Sequence, residues 1–220
     1  MFKFFTTTGF LLILMSSPRF ATATTGGHLN VTMLGFSPDS KHFVMAVLGT
    51  DNGIGAARAK IMIVNVATNR CVHNGCYKAR GTVGNLRTEE DVLNEVLRKT
   101  WRLRSELQLT PPQGFWAKGH FDFRENDAST AVYNHVHQKI YVRLLQKVKE
   151  DEVKASMQLE VSRNNIKKTL DSLENYRDST LEYKLDESLF ISPDGKGFAF
   201  LIKVVSLDGW YDFIVQTVAF

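Results

Sequence analysis

The chain has 220 residues, of which 44% are hydrophobic and 23% charged, a balance typical of a globular domain and unlike that of a disordered or collagen-like chain. Its 27 basic and 23 acidic residues give a formal net charge of +4, too small a surplus to indicate nucleic acid as the partner. No apolar run reaches the length of about 18 residues that a membrane-spanning helix needs, so the sequence predicts none.

The first 23 residues have the features of an export signal. Lys3 precedes a short apolar stretch from Phe4 to Met15, and a polar break then leads to Ala21-Thr22-Ala23. This order of basic start, short apolar segment and Ala-x-Ala site is typical of a secretory signal peptide, although a retained amphipathic anchor is an alternative. We expect cleavage after Ala23 and export of residues 24–220, as a single β-rich domain, to the periplasm or the extracellular medium.

The same turn sequence occurs near both ends of the mature chain, as Ser37-Pro38-Asp39-Ser40 and as Ser192-Pro193-Asp194-Gly195. Pro at the first central position and Asp at the second favour a tight turn. Each turn joins two apolar-rich segments, and a third segment follows a loop rich in Gly and Asp, so each end predicts a three-stranded antiparallel meander. The predicted strands are 29–36, 42–48 and 60–66 at one end and 181–191, 198–205 and 211–219 at the other.

Cys71 and Cys76 are the two cysteines of the chain. An exported protein meets an oxidising environment, and two cysteines allow one intramolecular bridge, so we predict a disulfide between them. Asn74-Gly75 lies between them and is a strong signal for a two-residue hairpin turn. The alternative, in which both cysteines and His73 bind a metal, lacks the second ligand pair of a structural zinc site.

One helix is predicted, over residues 88–107. Thr88 can cap its N-terminus, and Asp91 stands at the third position of a capping box. Four basic residues crowd its C-terminal half and complement the helix dipole; a nucleic-acid surface, the alternative, would have aromatic residues interleaved with them. The basic residues are Arg98, Lys99, Arg102 and Arg104, and the apolar stripe comprises Val92, Val96, Leu97, Leu103 and Leu107.

After the helix, alternating apolar residues predict strands within 115–123, 132–149 and 154–162. Several apolar residues of the middle segment are also spaced by four, so a helix over 132–148 remains an alternative. Residues 163–180 are rich in polar side chains and predict an exposed connection with one short helical turn. The expected fold is therefore mainly β (α+β), with both meanders packed in one sheet or sandwich and one long helix.

The Ser-Pro-Asp-Gly/Ser hairpins resemble the repeat of TolB-like β-propellers, in which this turn joins two strands of a blade. A propeller needs about four blades of roughly forty residues, and only two such units occur, so we do not expect a complete propeller.

A second resemblance covers nearly the whole mature chain. It extends from residues 35–39 through 49–55 and 61–70 to the helix start near Thr88, and it includes the terminal hairpin with Gly209 and the last strand. In these features the chain is similar to an uncharacterised bacterial family of predicted secreted proteins, a domain of unknown function. The resemblance implies export and a β-rich fold, and it brings no established activity.

Four residues form a candidate metal site: His120, Asp122, His135 and His137. Residues two apart share a face of a strand, so the four side chains would converge if both segments belong to one hairpin. Three imidazoles and a carboxylate suit zinc or copper. The alternative is that they are exposed polar positions on an amphipathic strand.

The loops that follow the second strand of each meander are candidate binding loops, represented by Asp51, Asn52, Gly53, Trp210 and Tyr211. Neither a Gly-x-Ser-x-Gly elbow nor a phosphate-binding loop with its Lys-Ser/Thr is present. The sequence therefore favours an exported, non-catalytic binding or interaction module whose partner is an unknown envelope protein or a small ligand. A zinc- or copper-binding protein or a metal-dependent hydrolase, built on the four metal-site residues, is the alternative.

Overall fold

The computed structural model describes residues 29–50, 55–82, 87–123, 128–135, 138–207 and 211–220, with the backbone alone described for 118–123, 128–129 and 135. This part of the chain is mainly antiparallel β-sheet with one α-helix, as the sequence predicts. The elements are β1 (Leu29–Phe36), β2 (His42–Thr50), β3 (Ala57–Asn65), β4 (Arg70–Arg80), α1 (Glu89–Glu106), β5 (Phe115–Phe123), β6 (Ala128–His135), β7 (Gln138–Lys149), a short 3₁₀ turn (Glu150–Glu152), β8 (Lys154–Arg163), β9 (Ile166–Asp178), β10 (Thr180–Ile191), β11 (Gly197–Ser206) and β12 (Tyr211–Ala219).

The N-terminal strands β1 to β4 form a four-stranded sheet in chain order. Its central strands β2 and β3 are apolar on both faces because both faces are covered. One face packs on α1, where Ile61 and Ile63 meet Val92 and Val96. The helix begins at the predicted capping box, in which Thr88 and Asp91 exchange hydrogen bonds of 3.1 and 2.9 Å.

The opposite face of this sheet packs on the C-terminal meander β10–β12. Phe43 is fully buried between the two, with its ring centroid 4.8 Å from that of Phe36 and 5.7 Å from that of Phe190. The predicted packing of the two meanders on one another is therefore confirmed, in the form of a sandwich.

The C-terminal meander is part of an eight-stranded sheet in the order β12-β11-β10-β5-β6-β7-β8-β9. The first half of β5 pairs with β10 and the second half with β6. The sheet thereby folds over, and the second face of β10–β12 packs on β6–β8 through a core that includes Tyr133, Leu159, Phe198 and Phe200. In the described strands no ladder joins β9 to β12, so the sheet closes neither as a barrel nor as a propeller.

The two Ser-Pro-Asp turns have the same hydrogen bonds and touch one another. The Oγ atom of Ser37 accepts from the His42 N–H at 3.0 Å, and that of Ser192 accepts from the Gly197 N–H at 2.7 Å. The Asp194 N–H donates to Ser40 Oγ at 3.3 Å and so links the turns. Both turns lie at one end of the sandwich, and the loops after β2 and β11 begin at the other.

The segment with the cysteines differs from its prediction, because β4 runs through it without a hairpin turn. Cys71 lies opposite Val64 and Cys76 opposite Met62, so four residues of β4 bulge out opposite Ile63 alone. Asn74 has a φ of +56°, and a Cβ on Gly75 would lie 2.9 Å from the Ile63 carbonyl oxygen. The turn residues thus form a large bulge within a strand. The predicted disulfide closes it, with the two Cα atoms 6.0 Å apart, and the bonded sulfurs are not metal-ligating thiolates.

The prediction for residues 163–180 was also wrong. Instead of an exposed connection they include β9, which pairs with β8 through a turn at Asn164 and Asn165. Both turn residues have positive φ, 48° and 63°, as a two-residue hairpin requires. Because β9 is a largely exposed edge strand, its few apolar residues, Ile166, Leu170, Leu173 and Tyr176, do not alternate as those of the inner strands do.

The alternative of a helix over 132–148 is wrong for the residues that the structure describes. Residues 132–135 lie in β6 and 138–148 in β7, and the buried positions of β7, Ile140, Val142 and Leu144, recur with the period of two. Arg104, one of the predicted basic residues, stands in the last turn of α1, where it is buried and donates to the Leu97 carbonyl oxygen at 2.9 Å.

Candidate functional site: a cationic pocket between the sheets

A cavity of about 230 Å³ lies at the end of the sandwich opposite the Ser-Pro-Asp turns. We call it the cationic pocket, because four cationic side chains and one carboxylate line it among the described residues. Its lining comprises Leu29, Val47, Arg58, Ala59, Lys60, Lys78, Ala79, Arg80 and Asp212.

The pairing of β3 with β4 brings the four cations together. Arg58 stands directly opposite Arg80, and Lys60 directly opposite Lys78. Residues two apart on a strand share a face, so all four belong to the same face of the sheet. Like charges directly opposite one another destabilise a sheet, so this arrangement is unfavourable for the fold alone.

Lys60 is the buried member of the group, with 8% of its side chain exposed. Its Nζ atom donates to Asp212 Oδ1 at 2.7 Å and also to the Phe213 carbonyl oxygen. Burial lowers the pKa of Lys60, and the Asp212 carboxylate opposes that shift. The ammonium group is therefore held at the floor of the pocket by a carboxylate and a backbone carbonyl.

Arg58 and Lys60 also join the two sheets. Arg58 Nη2 donates to the Tyr211 carbonyl oxygen at 2.9 Å, two residues before the carbonyl that Lys60 contacts. Both carbonyls belong to β12, the edge strand of the larger sheet, where backbone groups lack a neighbouring strand. These two cations therefore have a structural role in addition to their charge.

Lys78 and Arg80 are exposed at the mouth of the pocket. Lys78 forms no hydrogen bond or ion pair with any part of the chain that the structure describes. Its ammonium group is available to a ligand, and the Arg80 guanidinium is a planar donor suited to carboxylate and phosphate oxygens.

Sequence reasoning missed this pocket, although a signal is present. Basic and small residues alternate as Ala57-Arg58-Ala59-Lys60 and as Lys78-Ala79-Arg80, and the three alanines pack on the α1 side. The pattern shows that each pair of cations shares a face. Only the β3–β4 register shows that the two pairs face each other, and β4 was not predicted as a strand.

Of the predicted binding-loop residues, Tyr211 is described. Its carbonyl oxygen accepts from Arg58, its ring lies 5.6 Å from the Phe213 ring, and Lys203 Nζ is 3.6 Å from its ring centroid. Asp51, Asn52, Gly53 and Trp210 lie outside the described residues. The binding role of the two loops stays a prediction.

The predicted metal site stays a prediction as well. In the backbone register His120 lies opposite Val132, and Asp122 opposite Thr130. His135 ends β6, and His137 lies outside the described residues, as do the side chains of the other three. Among the side chains that are described, no group of three or more could hold a metal ion.

No protein-family model matches the chain, and comparison with curated proteins finds no relative. Within the described ranges, no helix is long and apolar enough to cross a membrane.

Proposed function

We propose that the protein is an exported, non-catalytic binding module that accepts a negatively charged group of a small ligand or of an envelope protein in the cationic pocket. One observation carries the proposal: four cationic side chains converge on one cavity whose described lining holds a single carboxylate. A concave site of one charge attracts ligands of the opposite charge.

The four cations have different tasks in this proposal. Arg58 and Lys60 are fixed on the β12 carbonyls and Asp212, so they supply positive potential from the floor. Lys78 and Arg80 are exposed and form the direct contacts with the ligand. Charge-assisted hydrogen bonds of this kind are about twice as strong as neutral ones.

Export is the second part of the proposal. The predicted signal peptide supports it, and so does the Cys71–Cys76 disulfide, since such bonds persist in oxidising compartments. The resemblance to a family of predicted secreted proteins points in the same direction.

The binding part is tested by calorimetric titration of the mature chain with phosphate, citrate and an acidic peptide. We expect at least one of these probes to bind, with an affinity that falls as salt rises. The double variant Lys78→Ala/Arg80→Ala should weaken that binding by about tenfold or more.

The matched control is the double variant Lys41→Ala/Lys196→Ala. It also removes two exposed positive charges, but at the opposite end of the sandwich. This control should leave the affinity unchanged. Binding of none of the probes by the folded wild-type chain, or an equal loss in the control, would contradict the proposal.

Elemental analysis of the same preparation separates the proposal from the metal alternative. Stoichiometric zinc or copper that disappears in His135→Ala/His137→Ala would overturn a binding module without catalysis. It would favour a metal-binding protein or a metal-dependent hydrolase.

A further inference from the structure

A second recess lies on the far side of the molecule, on the face of β6–β9 that points away from the core. Two adjoining cavities of about 450 and 250 Å³ share Tyr141 and Ser162 in their walls, and we call them together the outer groove. Val132, Tyr141, Ser162 and Lys167 form one cross-strand row over the four strands. With neighbouring strands about 4.8 Å apart, this row spans about 14 Å, which suits an extended ligand.

The outer groove presents polar groups that the fold does not use. Lys139, Tyr141, Asn164 and Asn165 line it and make no side-chain hydrogen bond or ion pair with the described residues. The Tyr141 residue is 50% exposed, whereas its neighbours Ile140 and Val142 are buried in the core. An aromatic ring of the sheet and two amides of the adjoining β8–β9 turn thus line the same cavity.

Arg163 lies at one end of the groove, but on β8 it stands opposite Ile140, so its side chain belongs to the core-facing side of the sheet. Its Nε donates to Gln138 Oε1 at 2.7 Å, its Nη1 donates to the Gly195 carbonyl oxygen at 2.8 Å, and the guanidinium lies 5.1 Å from the centre of the Phe198 ring. The other terminal nitrogen, Nη2, donates to none of the described residues. These contacts direct the guanidinium toward Gly195 and Phe198 and away from the outward face, so Arg163 stabilises this end of the groove and is not a ligand contact.

The charge of the outer groove is also positive. Among the described residues of its walls there is one carboxylate, Glu160, which pairs with Lys167 at 2.8 Å. Against it stand three cations of the outward face, Lys139, Arg143 and Lys167. The groove therefore favours a ligand that carries negative charge.

We propose that the outer groove binds an acidic saccharide, whose units carry carboxylates as well as hydroxyl groups. The exposed Tyr141 ring offers an apolar face for a sugar ring together with a polar hydroxyl. The amides of Asn164 and Asn165 both donate and accept, as the hydroxyl groups of a sugar require. Lys139 and Arg143, which share the outward face of β7 with Tyr141, pair with the carboxylates. This site shares no residue with the cationic pocket and does not depend on it.

The test is calorimetric titration of the mature chain with an oligomer of galacturonic acid and with the uncharged galactose oligomer of the same length. The acidic oligomer should bind at least about tenfold more tightly than the uncharged one. Tyr141→Ala should weaken its binding by about tenfold through loss of stacking. Asn164→Gly/Asn165→Gly keeps the positive φ of the turn and should weaken binding severalfold.

Trp101→Ala is the matched control, because Trp101 on α1 is also a largely exposed aromatic residue, at 58% against 50% for Tyr141. It should bind the acidic oligomer as the wild type does. Failure of the folded wild type to bind either oligomer, or unchanged binding by Tyr141→Ala, would overturn the proposal. Equal binding of polyglutamate would overturn it too, because it would show attraction by charge alone.

Discussion

At the residue scale, Lys60 shows how a charged side chain can lie inside a sandwich. On β3 it shares the inward face with Met62 and Val64, and it is the buried basic residue that follows these apolar ones toward the pocket. A buried ammonium is tolerated when a carboxylate and a hydrogen-bond acceptor compensate it, here Asp212 and the Phe213 carbonyl oxygen. The stability of this end of the molecule therefore depends more on Asp212 than on Lys60.

This asymmetry can be measured with two substitutions. Asp212→Ala should lower the free energy of unfolding by about 3 kcal/mol, because it leaves the Lys60 charge buried beside Arg58 and Lys78. Lys60→Met should cost only about 1 kcal/mol, because the Asp212 side chain that remains is 28% exposed and can be solvated. Urea unfolding at pH 7 gives both values, and an equal or larger cost for Lys60→Met would contradict this account.

The ion pair of Lys60 and Asp212 also makes the free energy of unfolding depend on pH. Burial lowers the pKa of Lys60 in the folded chain below its usual 10.5, the value expected in the unfolded chain. At a pH between these two pKa values, the unfolded chain therefore binds more protons than the folded chain. The free energy of unfolding then rises with pH over that window, and the Asp212→Ala variant should regain part of its lost stability there. Lys60→Met, which has no such group, should show no corresponding rise.

At the element scale, the correct predictions were those in which local chemistry and tertiary packing agree. The capping box at Thr88 set the start of α1, and the Ser-Pro-Asp turns set the hairpins. The wrong predictions concern segments whose structure is decided by contacts with other strands. Asn74-Gly75 has the chemistry of a hairpin turn, but β4 continues past it along β3 and converts it into a bulge. The exposed edge strand β9 has few apolar residues, and they lack the period of two from which a strand could be predicted.

The bulge in β4 gives a prediction for the disulfide. The loop between Cys71 and Cys76 is short, so the bond restricts the unfolded chain only modestly. Cys71→Ser/Cys76→Ser should therefore lower the free energy of unfolding by about 2 kcal/mol and leave the fold intact. Urea unfolding of this variant and of the wild type under reducing conditions should give the same loss. A variant that does not fold would show that the bulge depends on the bond for more than chain entropy.

At the whole-molecule scale, the sequence predicts the architecture better than the sites. The two meanders and the helix follow from patterns within about 40 residues of chain. The cationic pocket requires Arg58 to meet Arg80 and Lys60 to meet Asp212, contacts between distant parts of the chain. The outer groove requires four strands in register. Such long-range pairings have no local signal, so both sites became visible only in the folded chain.

The sandwich predicts that the two meanders unfold together, and Phe43 tests this. Its ring contacts Phe36 in the first meander and Phe190 in the second, so Phe43→Ala opens a cavity at the interface and should cost about 3–5 kcal/mol. Hydrogen exchange should then quicken for the amides of β2 and β11 alike. The control Phe115→Ala removes a ring that is 59% exposed and should change exchange little. Faster exchange in β2 with β11 unchanged would show that the two sheets open independently.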